Sequence, residues 1–328
     1  MKTWNYLCTQ GRPFLGLALV FGLGVLLSPR DFNGGIIFLS AGNLTDVLLQ
    51  QSEIGLIALA MTLVILGAGI DLSVGSVLAG SASVAALLLV RWTPAISPGM
   101  QIAIATSAAL AFGAAIGALN GLVVTRLGLQ AFVMTLATMI GVRGFTRWLT
   151  GNTNVDFSFG ESTSARFAEW FSNKPLAIAT WILLAVVAHL VLTRTVYGRY
   201  LRAIGENEQA AAYTGLPIRA VRLAAYMVCG AMAALAGLIH AARSHQGNPN
   251  DGVAYELDAI AAVVIGGTAL AGGQGTIVGT VTGTLILGLL TNVLRLRMVD
   301  SNLELMIKAV IIIVAVWLQR RGRTATSP

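Results

Sequence analysis

Few side chains in this sequence are suited to covalent chemistry, and their spacing argues against it. His189, His240 and His245 lack the spacing of zinc ligands, and Cys8 and Cys229 lie too far apart in sequence to suggest a metal pair or a disulfide framework. Glycines cluster at Gly266-Gly267, Gly272-Gly273 and Gly275, yet no glycine in the chain is followed by lysine, and Lys2, Lys174 and Lys308 are the only lysines. A phosphate loop needs that lysine to reach the terminal phosphates. No His/Asp/Glu constellation of an intramembrane enzyme stands out either. The sequence therefore predicts no catalytic residue, no metal and no cofactor of its own.

The remaining polar residues draw notice because they fall among apolar runs, where a charge costs roughly 2.5–3.5 kcal/mol on insertion scales. Asp71 and Ser73, in Ile70-Asp71-Leu72-Ser73-Val74-Gly75, sit at a junction between two runs. They are placed to cap the helix that follows, or to gate a path beside it. Arg143 and Arg147 are four apart and share one helix face. They either snorkel to headgroups or form a polar mouth. Lys308 lies inside the last run, at a depth similar to Glu256 and Asp258, which suggests an ion pair with one of them. Small hydroxylated or amide residues, Ser73, Asn120, Thr135 and Thr268, are candidates for a translocation path or gate, together with Asp71 and Arg143. No acid stands clearly in the middle of a run, where ion coupling usually places one.

The elements that must position these residues follow from composition. Of 328 residues, 56% are hydrophobic and 11% charged, with mean hydropathy +0.78; an average soluble domain carries about 25% charge. A surface this apolar needs lipid. A helix crosses a hydrocarbon core of about 30 Å in roughly 20 residues. The candidate spans are 13–27, 54–70, 74–90, 101–124, 131–149, 176–192, 221–242, 257–271, 276–294 and 303–318, about ten in all, with 43–52 as a short interfacial helix. The fold class is an all-α integral membrane protein, a polytopic helical bundle and a single transmembrane domain over 1–328. The net charge of +7 does not point to nucleic acid, because no basic face with interleaved aromatics exists. An apolar run near the N-terminus lacks a small-x-small cleavage site and is taken as an uncleaved first span.

Basic residues orient the bundle. Of the 21 lysines and arginines, 11 fall on the side of the termini, 7 on the other side and 3 within spans. The termini are therefore expected in the cytoplasm. A faint repeat at an offset of 200 matches Val64-Ile65, Gly67 and Gly75 with Val264-Ile265, Gly267 and Gly275. The glycines there form either tight turns or breaks in a helix lining a cavity. Gly113, Gly117 and Gly121, like Gly275, Gly279 and Gly283, let helices approach closely.

Over nearly its whole length the chain resembles the permease family of ribose- and xylose-type ATP-binding cassette importers. The resemblance rests on Met61-Thr62-Leu63-Val64-Ile65 running into Gly69-Ile70-Asp71-Leu72-Ser73-Val74-Gly75-Ser76. It extends to Gln130-Ala131-Phe132 with Arg143-Gly144, to Gly198-Arg199-Tyr200 with Gly205-Glu206-Asn207-Glu208, and to Tyr255 through Thr268. It implies a bacterial inner-membrane protein that translocates a monosaccharide or related polyol. The implied partners are a second permease subunit, a cytoplasmic ATPase that binds the ATP, and a periplasmic or lipid-anchored sugar-binding protein, all in a lipid bilayer. It also implies a coupling loop within 194–217, with Glu206, Asn207, Glu208, Ala210, Ala211 and Gly215 facing the ATPase and Ala211 at the seat. The match to an E-A-A-x-x-x-G loop departs by one position: counted from Glu208 the glycine falls late. A stand-alone secondary transporter or facilitator is the alternative, and the missing mid-span acid counts against it.

The topology is testable. Cysteines placed within 150–175, in a background lacking Cys8 and Cys229, should react with an impermeant thiol reagent in whole cells. Labelling only after permeabilisation would invert the orientation.

Overall fold

The computed structural model describes the backbone of residues 2–92, 95–300, 302–311 and 313, with side chains from residue 13 onward. The side chains of Lys2, Cys8 and Arg12, most of the later part of the expected span 303–318, and Arg320, Arg321 and Arg323 lie outside the described residues. The long helices are α1 (Lys2–Leu27), α2 (Ala41–Leu66), α3 (Val74–Val90), α4 (Pro98–Arg126) and α5 (Ala131–Thr150). After strand β1 (Val155–Asp156) come α6 (Thr163–Phe171), α7 (Lys174–Arg194), α8 (Val196–Glu206), α9 (Glu208–Tyr213) and α10 (Ile218–Ser244). Strand β2 (Gln246–Gly247), α11 (Tyr255–Ile265) and α12 (Ile277–Leu296) follow, and 302–311 is again helical. Five helices, α2, α4, α7, α10 and α12, are long and apolar enough to cross a membrane; Pro13–Leu27 and α3 are shorter apolar helices. The molecule is an all-α polytopic membrane protein.

Local sequence starts these helices where expected. Ser97 accepts from the Met100 amide ahead of Pro98, and Asn173 accepts from the Leu176 amide ahead of Pro175. A proline in the first turn removes no helical hydrogen bond. The expected interfacial helix over 43–52 is not separate: it runs without a break into α2, which is buried over 83% of its most apolar window. α2 is thus the central post, whereas α4 and α7, with 28% and 22% of that window buried, face outward.

The span expected over 257–271 is shorter in the structure. α11 ends at Ile265, so its 11 residues rise only about 16 Å, and backbone over 266–276 is not helical. The two ends of the faint repeat share one chain reversal. Ala68 N–H donates to Ile65 O at 2.9 Å and Gly69 N–H to Val64 O at 2.9 Å; Gly267 N–H donates to Val264 O at 2.8 Å and Thr268 N–H to Val263 O at 3.1 Å. The residues in the left-handed region are Ala68 and Gly267, the arrangement of a Schellman end. The equivalence is one residue out from the offset in the sequence.

α4 and α10 pack backbone to backbone. A Cβ on Gly230 would strike the carbonyl of Gly113, and one on Gly117 would strike the carbonyl of Tyr226. At the far end, β1 pairs antiparallel with β2 in the register Val155↔Gly247. The fully buried Phe167 of α6 closes that end against Phe157 and Leu238.

Overpacking of this kind costs about 1–3 kcal/mol or more. Gly230→Val should therefore lower the yield of folded protein in detergent, judged by size-exclusion chromatography. Gly141→Ala, where nothing lies within 4 Å of the added carbon, should not.

Candidate functional site

Three polar arrangements interrupt the apolar bundle. The first lies beside the Ala68–Gly69 turn. Asp71 is 1% exposed, and its Oδ1 accepts from the Ser73 amide at 2.9 Å and the Ser73 hydroxyl at 2.6 Å. Asn120 of α4 donates to the Ser73 hydroxyl at 3.0 Å, and Thr138 of α5 donates to the Asn120 carbonyl oxygen at 2.6 Å. The capping expectation needs correction: Ser73 is the N-cap of α3 but makes no side-chain cap bond. A buried carboxylate accepts only, so it draws the nearest donors to itself. Thr135 sits one turn before Thr138, with its hydroxyl on Ala131 O at 2.9 Å and within 3.4 Å of Ile70 O. Asp71, Ser73, Asn120 and Thr135 are therefore brought together. Thr138 was legible only as the i+3 neighbour of Thr135. Thr268 stands apart: it is fully buried, pressed against Gly275, and its hydroxyl has no partner among the described residues.

The second arrangement is the loop expected to be a coupling element. It forms two helices, α8 and α9, laid against both chain reversals. Gly205 is packed on the Leu66 carbonyl and the Gly273 amide, and Gly273 N–H donates to Leu66 O at 3.0 Å. Arg222 of α10 donates from Nε to Gly67 O at 2.9 Å and grips both oxygens of Glu208 at 2.8 Å. Tyr197 donates to Val221 O at 3.2 Å, and burial pushes its hydroxyl pKa up to about 12. Asn207 caps α9 by accepting from Ala210 N at 2.9 Å. Gly215, with φ +75°, ends α9 with Leu216 N–H donating to Ala211 O at 3.1 Å. That left-handed terminator fixes where the glycine of the loop must fall.

Ala211 does not face outward as expected. It is 4% exposed and packed within the chain, because the short helix needs an apolar side to lie on. The outward side carries Glu206, Gln209, Ala210, Ala212 and Tyr213, and Tyr213 is 92% exposed.

The third arrangement, at the opposite end, was missed. Glu53 lies in the middle of α2 and is 1% exposed. Its carboxylate contacts the Arg243 guanidinium, His240 Nδ1 at 2.9 Å and the Tyr255 hydroxyl at 3.1 Å. His240 Nε2 is 3.0 Å from Asp251. Dividing α2 at Ser52 had placed Glu53 at a span boundary and hidden a buried acid.

Arg143 and Arg147 both reach across to the loop after β2. Arg143 donates to the carbonyls of Pro249 and Asp251, and Arg147 donates to Asn250 at 2.9 Å. They pin the loop after β2, since guanidinium forks satisfy several acceptors at once. Lys308 lies 3.6 Å from Asp258 and 3.1 Å from Glu304. Glu256 is not its partner; its carboxylate is turned toward Gly75.

Fold and sites together define a polytopic α-helical membrane protein with buried polar networks near both ends of a broken-helix core, an arrangement suited to passing a polar solute rather than transforming it. The family model described as branched-chain amino acid transport system / permease component matches residues 43–316. The chain is 40% identical over 327 residues to the ribose import permease protein RbsC of Escherichia coli (strain K12), covering 98% of this chain and 95% of that one. It is 40% identical over 312 residues to the ribose import permease protein RbsC of Bacillus subtilis (strain 168), covering 94% and 92%. It is 30% identical over 341 residues to the xylose transport system permease protein XylH of Escherichia coli (strain K12), covering 86% and 85%. The chain belongs to this family of transport-system permeases, which are transporters and not enzymes. No solved structure matches it.

The ion-pair geometry yields a prediction. Removing one member of a partly buried pair leaves its partners uncompensated, at a cost on the order of 2 kcal/mol. Lys308→Met should lower folded yield, Asp258→Asn in that background should restore part of it, and Glu256→Gln should not. Equal rescue by the two would contradict the pairing.

Proposed function

We propose that the chain is the membrane-spanning permease subunit of an ATP-driven importer that carries a monosaccharide or related small polyol across the bacterial inner membrane. The observation that carries this reading is the end-to-end match to ribose import permeases, at 98% and 95% coverage. Allose and fructose permeases, at 33% identity, match over most of the chain as well, which favours sugars over the amino acids in the family's description. The whole chain acts as one permease domain. Its termini face the cytoplasm with α8 and α9, and 150–175 faces the periplasm. It works as a homodimer in the lipid bilayer, with a separate ATPase holding the ATP and a periplasmic or lipid-anchored binding protein delivering the sugar.

Its own role is mechanical. The ATPase pushes on α9. Glu208 passes that push through Arg222 to the carbonyl that ends α2, and Gly205 passes it to both chain reversals at once. Asp71, Ser73, Asn120, Thr135 and Thr138 then form the inner gate, where the α2–α3 turn is tied to α4 and α5. Thr268 keeps the second turn closed by packing on Gly275. Arg143 belongs to the outer loop anchor rather than the path.

Docking through the outward side of α9 makes Tyr213 the anchor. Truncating an aromatic anchor costs roughly 2 kcal/mol, about thirty-fold in affinity. Tyr213→Ala should insert at normal levels yet lose co-purifying ATPase and sugar-stimulated hydrolysis. Full association and uptake in that variant would place the coupling surface elsewhere.

A further inference from the structure

Glu53, His240 and Tyr255 do more than pair with one another. With Gln51, Arg243 and Lys308 they line a cavity of about 330 Å³ between α2, α10, α11, α12 and the 302–311 helix. That is near the lower end of the roughly 300–1,000 Å³ of small-molecule pockets, and about ten times the ~30 Å³ share of a liquid water. The cavity lies at the end of the bundle away from α8 and α9. Arg295, whose side chain is 59% exposed, stands at its edge, and Glu53, 1% exposed, lies within.

The chemistry of the lining selects among ligands. Of the lining carboxylates, Glu53 meets Arg243 and the imidazole of His240, and Asp258 meets Lys308; Asp251 and Glu304, behind the lining, pair with His240 and with Arg295 and Lys308. Each of these charges has a partner of opposite sign or an imidazole between, so an incoming ion meets no uncompensated charge. An apolar ligand would strand the polar lining. A neutral molecule rich in hydroxyls both donates and accepts at every position, and it suits a wall that alternates carboxylate, guanidinium, imidazole and phenol. Gln50, half-buried at the cavity wall, adds an amide that both donates and accepts.

We infer that this cavity holds one neutral polyhydroxylated solute, a monosaccharide or polyol, on its way through the permease. The inference rests on the proposed importer function and gives it an outer binding position. Gln50 accepts from ligand hydroxyls, Arg243 and Lys308 donate to them, and Leu287 supplies an apolar floor for a ring face. Because α2 also ends in the first chain reversal, a solute held against Glu53 touches the same post that the coupling helices move.

The test uses the permease assembled with its ATPase and binding protein in liposomes, with labelled D-ribose, D-allose, D-fructose and D-xylose as probes. Leu287→Trp fills the cavity and should cut uptake about tenfold. Gln50→Leu should change KM and the order of preference among the four sugars more than the maximal rate, a shift that a merely structural glutamine would not produce. Because Leu287→Trp is liable to misfold, Ser244→Cys, at the exposed rim of the cavity, is made in a background lacking Cys8 and Cys229 and blocked with a bulky maleimide after assembly. Blocking should abolish uptake, and the transported sugar should slow the labelling. Uptake within about twofold of wild type in both the assembled Leu287→Trp complex and the fully labelled Ser244→Cys complex would overturn the cavity assignment alone. A wild-type complex that takes up none of the four sugars would overturn the sugar reading and this assignment with it.

Discussion

A helix that ends inside a membrane protein leaves carbonyls that lipid cannot satisfy. This constraint governs the core of the molecule. α2 and α11 both end in left-handed turns, at Ala68 and Gly267, and the freed carbonyls find donors only within the protein. Leu66 O takes the Gly273 amide, and Gly67 O takes Arg222 Nε. Each reversal thereby depends on the other or on α10. The short helices α8 and α9 are seated where both can be reached, and Gly205 has no Cβ because the Leu66 carbonyl occupies that space.

The same constraint separates the two buried acids. Asp71 is satisfied locally by Ser73 and Asn120, all held at the reversal end. Glu53 is satisfied from α10 and α11, by groups distant in sequence. The two sites occupy opposite ends of one core, linked through α2, whose 26 residues run from beside Arg295's end of the bundle to Leu66. In an alternating-access cycle, a rigid central helix with polar contacts at both ends couples the opening of one end to the closing of the other. The close glycine contacts between α4 and α10 give that motion a firm wall to work against.

The loop over 194–217 shows how a surface is hidden by its own folding. Alanines over 210–212 suggested a small-residue seat for a partner. The helix they form is only six residues long and is not stable alone. It must bury a side on the rest of the chain, and that side takes Ala211 while Glu208 is spent on Arg222. What is left for a partner is the side bearing Tyr213.

The sequence by itself determined the membrane class, the all-α bundle and most of the places where helices stop, though not the early end of α11 at Ile265. These follow from local properties: apolar run length, proline and glycine placement, and the scarcity of charge. It also brought Asp71, Ser73, Asn120 and Thr135 into one list, together with Thr268 and Arg143, which lie elsewhere, because small polar residues among apolar runs draw notice wherever they fall. Tertiary structure alone decided which charges meet. Glu53 finds His240 and Arg243 across 187 and 190 residues of sequence, Arg222 reaches back to Gly67, and Lys308 meets Asp258 and Glu304 while Glu256 turns to Gly75. A long side chain on a helix is free to point to several neighbours, and only the packing of those neighbours fixes which one receives it.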